Sequence, residues 1–226
     1  MIANAPHTSV FGIVPAAGLG RRMGRPKQTL PFGGSTMVGG VVRTLLDAGL
    51  DAVVVVTRSE LIARLGLPID KRLSVAVNDD AASQMIDSIR IGLSALLDDC
   101  AVSGGDKEDK PSIVDRTSDC TGILVVPGDM PGLAVATCRL YMEAYRREPT
   151  MIVVDAHNGR RGHPLIFPAA LRSVVRRLDG GLNALLDSHR DRVQLVETGD
   201  RTAFEDVDTW DQFRSLSPHA NSSEER

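Results

Sequence analysis

Basic residues and glycines are concentrated in one segment near the start of the chain. Glycine lets a backbone approach a phosphate closely and directs N–H groups towards it, and basic side chains add positive charge. This composition predicts a loop that binds a polyphosphate, and the alternative is a solvated basic turn that binds nothing. The residues are Gly18, Gly20, Arg21, Arg22, Gly24, Arg25 and Lys27.

The spacing of this loop differs from that of two common phosphate-binding loops. In the dinucleotide fingerprint G-x-G-x-x-G, the third glycine would come one residue before Gly24. A Walker A loop needs Gly-Lys followed by Ser or Thr, which this segment lacks. The loop therefore belongs to neither class, and the residues alone predict only a polyphosphate ligand.

A second candidate is an aspartate that follows an apolar run. Asp129 lies in the tetrapeptide Gly128–Pro131, just after the predicted strand 123–126. Magnesium prefers one or two carboxylates together with water and substrate phosphates, so Asp129 is a candidate Mg²⁺ ligand. The alternative is an ordinary strand-to-loop turn, because Gly-Asp pairs are frequent in turns.

The hydrophobic pattern predicts strands that alternate with helices. The β-branched run 52–57 is typical of a strand buried on both faces of a sheet, and segment 83–97 has apolar residues at helical spacing. Such alternation predicts an α/β fold, a single Rossmann-like three-layer domain with a mostly parallel sheet. Ligands of such sheets bind beyond the carboxyl ends of the strands, where both candidate loops lie. The predicted strands are 10–14, 52–57, 73–77, 123–126, 151–154, 165–167 and 193–197, and the predicted helices are 37–46, 83–97, 133–147, 169–178 and 182–188.

Composition and charge narrow the class of protein. The chain has 226 residues, 42% of them hydrophobic and 24% charged, which suits one globular domain. A net charge of −3 gives no general basic surface for nucleic acid. No segment reaches the roughly 18 apolar residues of a membrane helix, and the N-terminus lacks the pattern of a signal peptide. We therefore expect a cytoplasmic protein with no nucleic-acid or membrane partner.

Two segments are expected to lie outside the folded core of a domain that spans 1–214. Segment 98–121 is polar and rich in Gly, Asp and Lys, which is typical of a mobile surface insertion. Segment 215–226 is predicted to be a disordered tail. The three cysteines, Cys100, Cys120 and Cys138, show no zinc or disulfide spacing and are expected to be reduced.

The basic loop resembles the pattern L-x-x-G-x-G-x-R-M-G-x-x-K of the nucleotidyltransferase superfamily that contains the molybdenum-cofactor guanylyl- and cytidylyltransferases. Pro15 replaces the usual leucine, and the similarity continues as P-K-x-x-L-P-x-x-G to Gly34. Segments 128–131, 159–164 and 205–211 resemble motifs of the molybdopterin cytidylyltransferase-like branch. The resemblance covers about residues 10–212 and implies a fold of the nucleotide-diphospho-sugar transferase type.

The resemblance also implies roles for individual residues. Arg22, Lys27 and Asp129 would be catalytic, with Arg22 and Lys27 as the main phosphate contacts. Mg²⁺ would be held by Asp129, with Asp206 as a second ligand or a group behind it. Arg161 and His163 would contact an anionic acceptor, although His163 has a simple turn cap as its alternative. The nucleotide-binding residues would be Ala16, Ala17, Gly18, Gly20, Arg22, Lys27, Asn78 and Ser88.

Besides Pro15, the sequence departs from the family pattern at three further positions. Gln84 and Asp87 stand where glycine and serine are usual in the segment that recognises the base and ribose, and Trp210 stands where proline is usual. Asp208 and Thr209 lie in segment 205–211, which resembles a family motif. Their alternative role is to cap the last predicted helix, because Asp and Thr are favoured at the N-cap position.

The activity implied by the resemblance is transfer of CMP from CTP to molybdopterin, the molybdenum cofactor, with Mg²⁺ bound and pyrophosphate released. The acceptor phosphate would attack the α-phosphorus in line, and since a phosphate is already ionised no general base is required. A molybdoenzyme or its chaperone is a further implied partner. Alternative functions are a guanylyltransferase for the same cofactor, and a cytidylyl- or uridylyltransferase for a sugar or polyol phosphate. An alternative of another class is a non-catalytic protein that binds and delivers the cofactor.

Overall fold

The computed structural model describes residues 8–20, 23–97, 121–157, 160–197, 207 and 209–216. Strands and helices alternate along most of this range, as predicted. The strands are β1 (Val10–Ala16), β2 (Pro31–Phe32), β3 (Ser35–Thr36), β4 (Ala52–Thr57), β5 (Leu73–Val77), β6 (Gly122–Val125), β7 (Ile152–His157), β8 (Arg160–Pro168) and β9 (Val193–Val196). The helices are α1 (Met37–Ala48), α2 (Met85–Leu97), α3 (Val135–Arg147), α4 (Arg172–Arg176), α5 (Leu182–Ser188) and α6 (Trp210–Leu216).

Seven of the strands form one sheet in the order β5-β4-β1-β6-β8-β7-β9. Within it, β8 runs antiparallel to its neighbours β6 and β7, and the other pairs are parallel. The prediction of a mostly parallel sheet is therefore confirmed. Because β1 and β6 are adjacent and parallel, their carboxyl ends meet at one edge. This arrangement places the two candidate loops side by side.

Side chains alternate between the two faces of the sheet and form a core on each face. On one face, residues such as Val14 and Val53 pack with α1 and α3. On the other face, residues such as Ile13 and Val54 pack with α2, α4 and α5. The result is the three-layer domain that the alternation predicts, because strands buried on both faces need helices on both sides.

Gly92 brings helix α2 close to the central strand. A Cβ at this position would lie 2.7 Å from Cγ2 of Ile13 in β1, too close for any larger residue without a shift. Ser88, one turn earlier on the same helix, is buried. The close approach at Gly92 therefore holds the start of α2 next to the loop that leaves β1.

The structure changes the predicted limits of the two segments expected outside the core. Thr121, placed in the insertion by the sequence, is buried, and its carbonyl accepts a hydrogen bond from the Ala169 N–H. Ser215 and Leu216, placed in the tail, are the last residues of α6. Residues 98–120 and 217–226 lie outside the described residues, as do Cys100 and Cys120, and the remaining cysteine, Cys138, is buried as a free thiol. None of the helices in the described part of the chain has the length and apolar character to cross a bilayer.

Candidate functional site

The loop after β1 is closed on itself through Gly20. Its φ of +60° is the left-handed conformation that favours glycine, and a Cβ there would lie 2.0 Å from the carbonyl oxygen of Arg25. The N–H of Met23 donates to the Gly20 carbonyl at 2.9 Å. The glycine therefore allows a tight turn that brings the backbone of Arg25 and Lys27 back towards the end of β1.

Lys27 is paired with Asp129 across the gap between the two loops. Its Nζ lies 2.5 Å from Oδ2 of Asp129, and both side chains are mostly buried. The loop of Asp129 is held against β1, because the Gly128 N–H donates to the Pro15 carbonyl at 3.0 Å. The structure thus brings together two of the predicted catalytic residues, and it does so through the adjacent strands β1 and β6.

Asp129 keeps capacity for a second cation. Its Oδ1 is buried and has no hydrogen-bond partner among the described residues. A buried carboxylate oxygen without a partner is costly, and a divalent cation would compensate it. The described residues contain no group of three or more His, Cys, Asp or Glu side chains that could enclose a metal. Asp129 therefore fits Mg²⁺ or a similar ion that takes most of its ligands from substrate and water.

A cleft runs along the loop after β1. A more enclosed cavity of about 230 Å³ contains the Lys27–Asp129 pair, and a more open one of about 650 Å³ lies between the glycine loop and residues 80–83. The two cavities share Ala17, Gly18 and Ser83 in their walls. A triphosphate with its nucleoside is an elongated ligand, and two adjoining cavities suit its two parts.

Gln28 lies in the wall of the enclosed cavity and was not predicted from the sequence. It is 3% exposed, its Nε2 donates to the Gly18 carbonyl at 2.8 Å, and its Oε1 is buried with no partner among the described residues. A polar atom in this state is a candidate ligand contact. Its side chain folds back onto the Gly18 carbonyl, ten residues earlier in the chain, and no local pattern in the sequence marks such a contact.

Asn78 and Ser88, both predicted to bind the nucleotide, are in contact with each other. Nδ2 of Asn78 donates to Oγ of Ser88 at 3.0 Å and to Oγ of Ser83 at 3.1 Å. The amide is buried and spans the loop that joins β5 to α2. Asn78 therefore fixes Ser83, which lines both cavities, and Ser88, which lines the enclosed one, whereas Asn78 itself lines neither.

One of the two departures from the family pattern near the start of α2, Asp87, has a structural role. Oδ2 of Asp87 accepts a hydrogen bond from the Gln84 N–H at 2.8 Å, and Oδ1 pairs with Arg90 at 2.7 Å. Arg90 also donates to the Leu178 carbonyl at 2.5 Å. Asp87 thus secures the first turn of α2, which carries Ser88.

The two predicted acceptor residues lie at different depths in β8. Val125 pairs with Leu165 in the antiparallel register, so the residues before Leu165 continue past the carboxyl end of β6. His163 is half-buried there with its Nδ1 unpartnered among the described residues, and burial lowers the pKa of its imidazole despite the opposing effects of the Val125 carbonyl and the Asp129 charge. Arg161 is exposed and lies 3.4 Å from Asp187 of α5.

The C-terminal segment packs beneath both loops. The Val207 N–H donates to the Asp129 carbonyl at 3.1 Å, and the Arg25 guanidinium carbon lies 5.3 Å from the centre of the Trp210 ring. Thr209 and Gln212 form a reciprocal cap at the start of α6, with Thr209 N–H to Oε1 at 2.9 Å and Gln212 N–H to Oγ1 at 3.3 Å. The proposed capping role of Thr209 is confirmed. Met23, Leu30, Met37, Val207 and Phe213 form the buried cluster between this segment and the loop.

Some of the remaining predicted residues lie at the end of β1 and in the cavity walls, and others lie outside the described residues. Ala16 is the buried last residue of β1, and Ala17 and Gly18 line both cavities. Arg21, Arg22, Asp206 and Asp208 lie outside the described residues, so the roles expected of Arg22 and Asp206 stay predictions.

The sequence of this chain is similar to those of several known proteins. The sequence model of the MobA-like NTP transferase domain matches residues 12–193. The nicotine blue oxidoreductase of Paenarthrobacter nicotinovorans is 31% identical over 218 residues, which are 92% of this chain and 96% of that protein. A probable molybdenum cofactor guanylyltransferase of Opitutus terrae is 30% identical over 80% of this chain and 77% of that protein.

Solved structures with a similar fold cover nearly the whole of this chain. Rv0371c from Mycobacterium tuberculosis H37Rv is 28% identical and superposes with a TM-score of 0.72 over 95% of this chain and 100% of its own. A complex of that protein with manganese superposes with a TM-score of 0.68 over 94% of this chain and 100% of its own.

Proposed function

This chain belongs to the MobA-like NTP transferase family, and on that premise we propose that it transfers a nucleotidyl group from a nucleoside triphosphate to a small phosphorylated acceptor. CTP is the favoured donor and molybdopterin the favoured acceptor. The observation that carries the proposal is the Lys27–Asp129 pair, 2.5 Å apart, in the cleft beside the glycine loop. The pair would set a cation for the phosphates next to a carboxylate for the metal ion, which suits the positioning and charge stabilisation of in-line transfer.

The chain's own residues would bind and orient the triphosphate. Lys27 would neutralise charge that develops on the α-phosphate and on the departing pyrophosphate, and Arg22 would assist it. The loop around Gly18 and Gly20 would direct backbone N–H groups at the phosphates. Gln28, with its buried Oε1, would accept a hydrogen bond from a donor on the nucleotide.

Asp129 would hold the divalent cation, with Asp206 as the proposed second ligand. Such an ion, bound with substrate oxygens, neutralises the triphosphate and aligns it for displacement. The fit depends on the buried, unpartnered Oδ1 of Asp129. The manganese complex of the M. tuberculosis protein is consistent with a divalent ion in this fold.

Arg161 and His163 are the proposed acceptor contacts. Arg161 is exposed and only loosely paired with Asp187 at 3.4 Å, so an anionic group would compete for its guanidinium. His163, half-buried near the Asp129 loop, would supply a neutral imidazole because burial lowers its pKa. A phosphate nucleophile is already ionised, so neither residue is required as a base.

Release of pyrophosphate tests the proposal. The protein is assayed with CTP, GTP, ATP and UTP, each with Mg²⁺ or Mn²⁺ and molybdenum-loaded molybdopterin. We expect release with CTP that is lost in Lys27→Ala and Asp129→Asn and retained in the exposed controls Lys71→Ala and Asp191→Asn. Release with another nucleotide would reassign the base, and silence with all four and with sugar phosphates would contradict the proposed reaction.

A second candidate is an oxidoreductase, with the dinucleotide NADH or NADPH as the reductant to test first. It rests on the 31% identity to nicotine blue oxidoreductase along nearly the whole of both chains. The glycine loop and Lys27 would then hold the diphosphate of the dinucleotide. Oxidation of NADH or NADPH by a quinonoid dye in the absence of any triphosphate would favour this reading. Pyrophosphate release without such oxidation would exclude it.

A further inference from the structure

We propose that Trp210 is a positioning residue for triphosphate binding, because it holds Arg25 and thereby fixes the glycine loop. This inference rests on the proposed binding of a nucleoside triphosphate by that loop. It assigns to the C-terminal helix α6 a part in the nucleotide site, although α6 contributes nothing to the wall of either cavity.

The ring of Trp210 contacts the side chain of Arg25. The Arg25 guanidinium carbon is 5.3 Å from the ring centre, within the range of a cation–π interaction. The ring itself is held by Phe213, whose centroid is 5.8 Å away at an interplanar angle of 87°. Phe213 is buried among Met23, Leu30 and Met37, so Trp210 has a rigid support.

The backbone of Arg25 forms part of the turn of the glycine loop. The Arg25 carbonyl lies directly against Gly20, where a Cβ would come within 2.0 Å of it. Lys27, two residues later, pairs with Asp129. A displacement of Arg25 would therefore open the turn at Gly20 and move the ammonium group that the triphosphate needs.

The segment before α6 also contacts the loop of Asp129. The Val207 N–H donates to the Asp129 carbonyl at 3.1 Å, and the Val207 side chain is fully buried. Val207 and Trp210 thus contact the segments of both partners of the Lys27–Asp129 pair. This double contact distinguishes the segment from a helix that merely covers the core.

The experiment measures nucleotide affinity, turnover and fluorescence in a set of single and double variants. Trp210→Ala and Arg25→Gln are compared with Trp210→Phe and Arg25→Lys, which keep an aromatic face or a cation. Arg214→Ala is the control, because Arg214 is exposed on the same helix and pairs with Asp211 at 3.1 Å. Isothermal titration with CTP and Mg²⁺ gives Kd, and pyrophosphate release gives kcat and KM.

We expect Trp210→Ala and Arg25→Gln each to raise Kd and KM for the triphosphate about tenfold with little change in kcat. Trp210→Phe and Arg25→Lys should recover most of the affinity. The double variant Trp210→Ala/Arg25→Gln should bind no more weakly than either single variant, since both remove one contact. Additive losses in the double variant would instead mean that Arg25 contacts the nucleotide independently, and would overturn the inference.

Fluorescence gives a second readout, because Trp210 is the chain's one tryptophan. Its emission should change on titration with CTP and Mg²⁺ at the same midpoint as the calorimetric curve, and this change should be lost in Arg25→Gln. Unaltered affinity in folded Trp210→Ala and in Arg25→Gln would overturn the inference alone. Failure of the wild-type protein to bind any triphosphate would overturn it together with the proposed function. If Trp210→Ala does not fold, Trp210→Leu takes its place in the cycle with Arg25→Gln, since it removes the aromatic face and keeps an apolar side chain beside Phe213.

Discussion

Lys27 Nζ lies 2.5 Å from Asp129 Oδ2, so the cation of the glycine loop and the carboxylate after β6 form one ion pair. Both side chains are at most 18% exposed, and solvent therefore compensates little of either charge. A phosphate that approaches Lys27, or a cation that approaches Asp129, has to share a group that is already paired. The stability of the loops and their affinity for ligands are consequently linked through these two residues.

The first prediction concerns this pair. Lys27→Met and Asp129→Asn should each lower the free energy of unfolding, because each removes the opposite charge beside a group that is mostly buried. The double variant should regain part of that loss, with a coupling energy of about 1–3 kcal/mol measured by denaturant unfolding. Turnover should fall on the order of 100-fold or more in all three.

The control cycle uses the exposed pair Arg214–Asp211 with the variants Arg214→Met and Asp211→Asn. The coupling energy of this pair should be less than about 1 kcal/mol. Recovery of turnover in the Lys27→Met/Asp129→Asn protein would show that the pair serves stability only. No coupling in stability would show that the two charges do not meet in solution.

The second prediction distinguishes two costs of replacing a glycine in the loop, the cost of a positive φ and the cost of a steric clash. Gly20 and Gly24 both have positive φ, +60° and +69°, but only at Gly20 would a Cβ collide with the backbone, 2.0 Å from the Arg25 oxygen. Gly24→Ala should cost about 1 kcal/mol of stability and leave CTP binding nearly unchanged. Gly20→Ala should in addition open the turn and raise the Kd for CTP by at least about tenfold.

Calorimetric titration of both variants, with unfolding curves for each, measures the two effects. Because both replacements carry the same conformational cost, the difference between them isolates the steric contact. Equal affinities in the two variants would contradict the view that closure at Gly20 positions the phosphate-binding backbone.

The sequence predicts the central elements of this fold well because buried strands and amphipathic helices have strong periodic patterns. The run 52–57 and the segments 73–77 and 182–188 coincide with β4, β5 and α5. Strand β8 was predicted as 165–167, whereas it begins at Arg160, because its first residues are polar and their pairing with β7 leaves no hydrophobic pattern. The hairpin of β2 and β3 is too short to give a pattern at all.

The site was predicted in part for a similar reason. Adjacent parallel strands bring Lys27 and Asp129 together, in agreement with the rule that ligands bind beyond the carboxyl ends of the strands. Gln28 and the contact of Trp210 with Arg25 depend on how side chains pack between distant segments. Such packing has no local signal, so neither could be predicted from the sequence.

The third prediction tests Gln28 as a ligand contact. Gln28→Leu removes the hydrogen bond to the Gly18 carbonyl but also removes a buried oxygen that has no partner among the described residues. The two effects on stability oppose each other, so the free energy of unfolding should change by less than about 1 kcal/mol. Affinity for the triphosphate should nevertheless fall about tenfold, because a ligand contact is lost.

Thr29→Val is the matched control. Oγ1 of Thr29 donates to the Pro26 carbonyl at 3.1 Å in the same turn, but Thr29 does not line either cavity. This variant should lose a little stability and no affinity. The opposite result, in which Gln28→Leu destabilises the protein and binds CTP normally, would assign Gln28 a purely structural role.

The fourth prediction concerns Cys138, which is fully buried in α3 against the sheet. Burial raises the pKa of its thiol from 9.0 to about 12, since a thiolate would be desolvated there. At pH 8 about one thiol in 10⁴ would therefore be ionised, and only the thiolate reacts with disulfide reagents.

In a Cys100→Ser/Cys120→Ser protein, where Cys138 is the remaining cysteine, Ellman's reagent should release one equivalent of product only after unfolding. The native rate should rise with denaturant in parallel with the unfolded fraction, because opening of the α3 core is what exposes the sulfur. Rapid reaction of the native protein at pH 8 would mean that α3 opens locally, and that the packing of α3 on the sheet is weaker than the buried contacts of Cys138 and Tyr141 indicate.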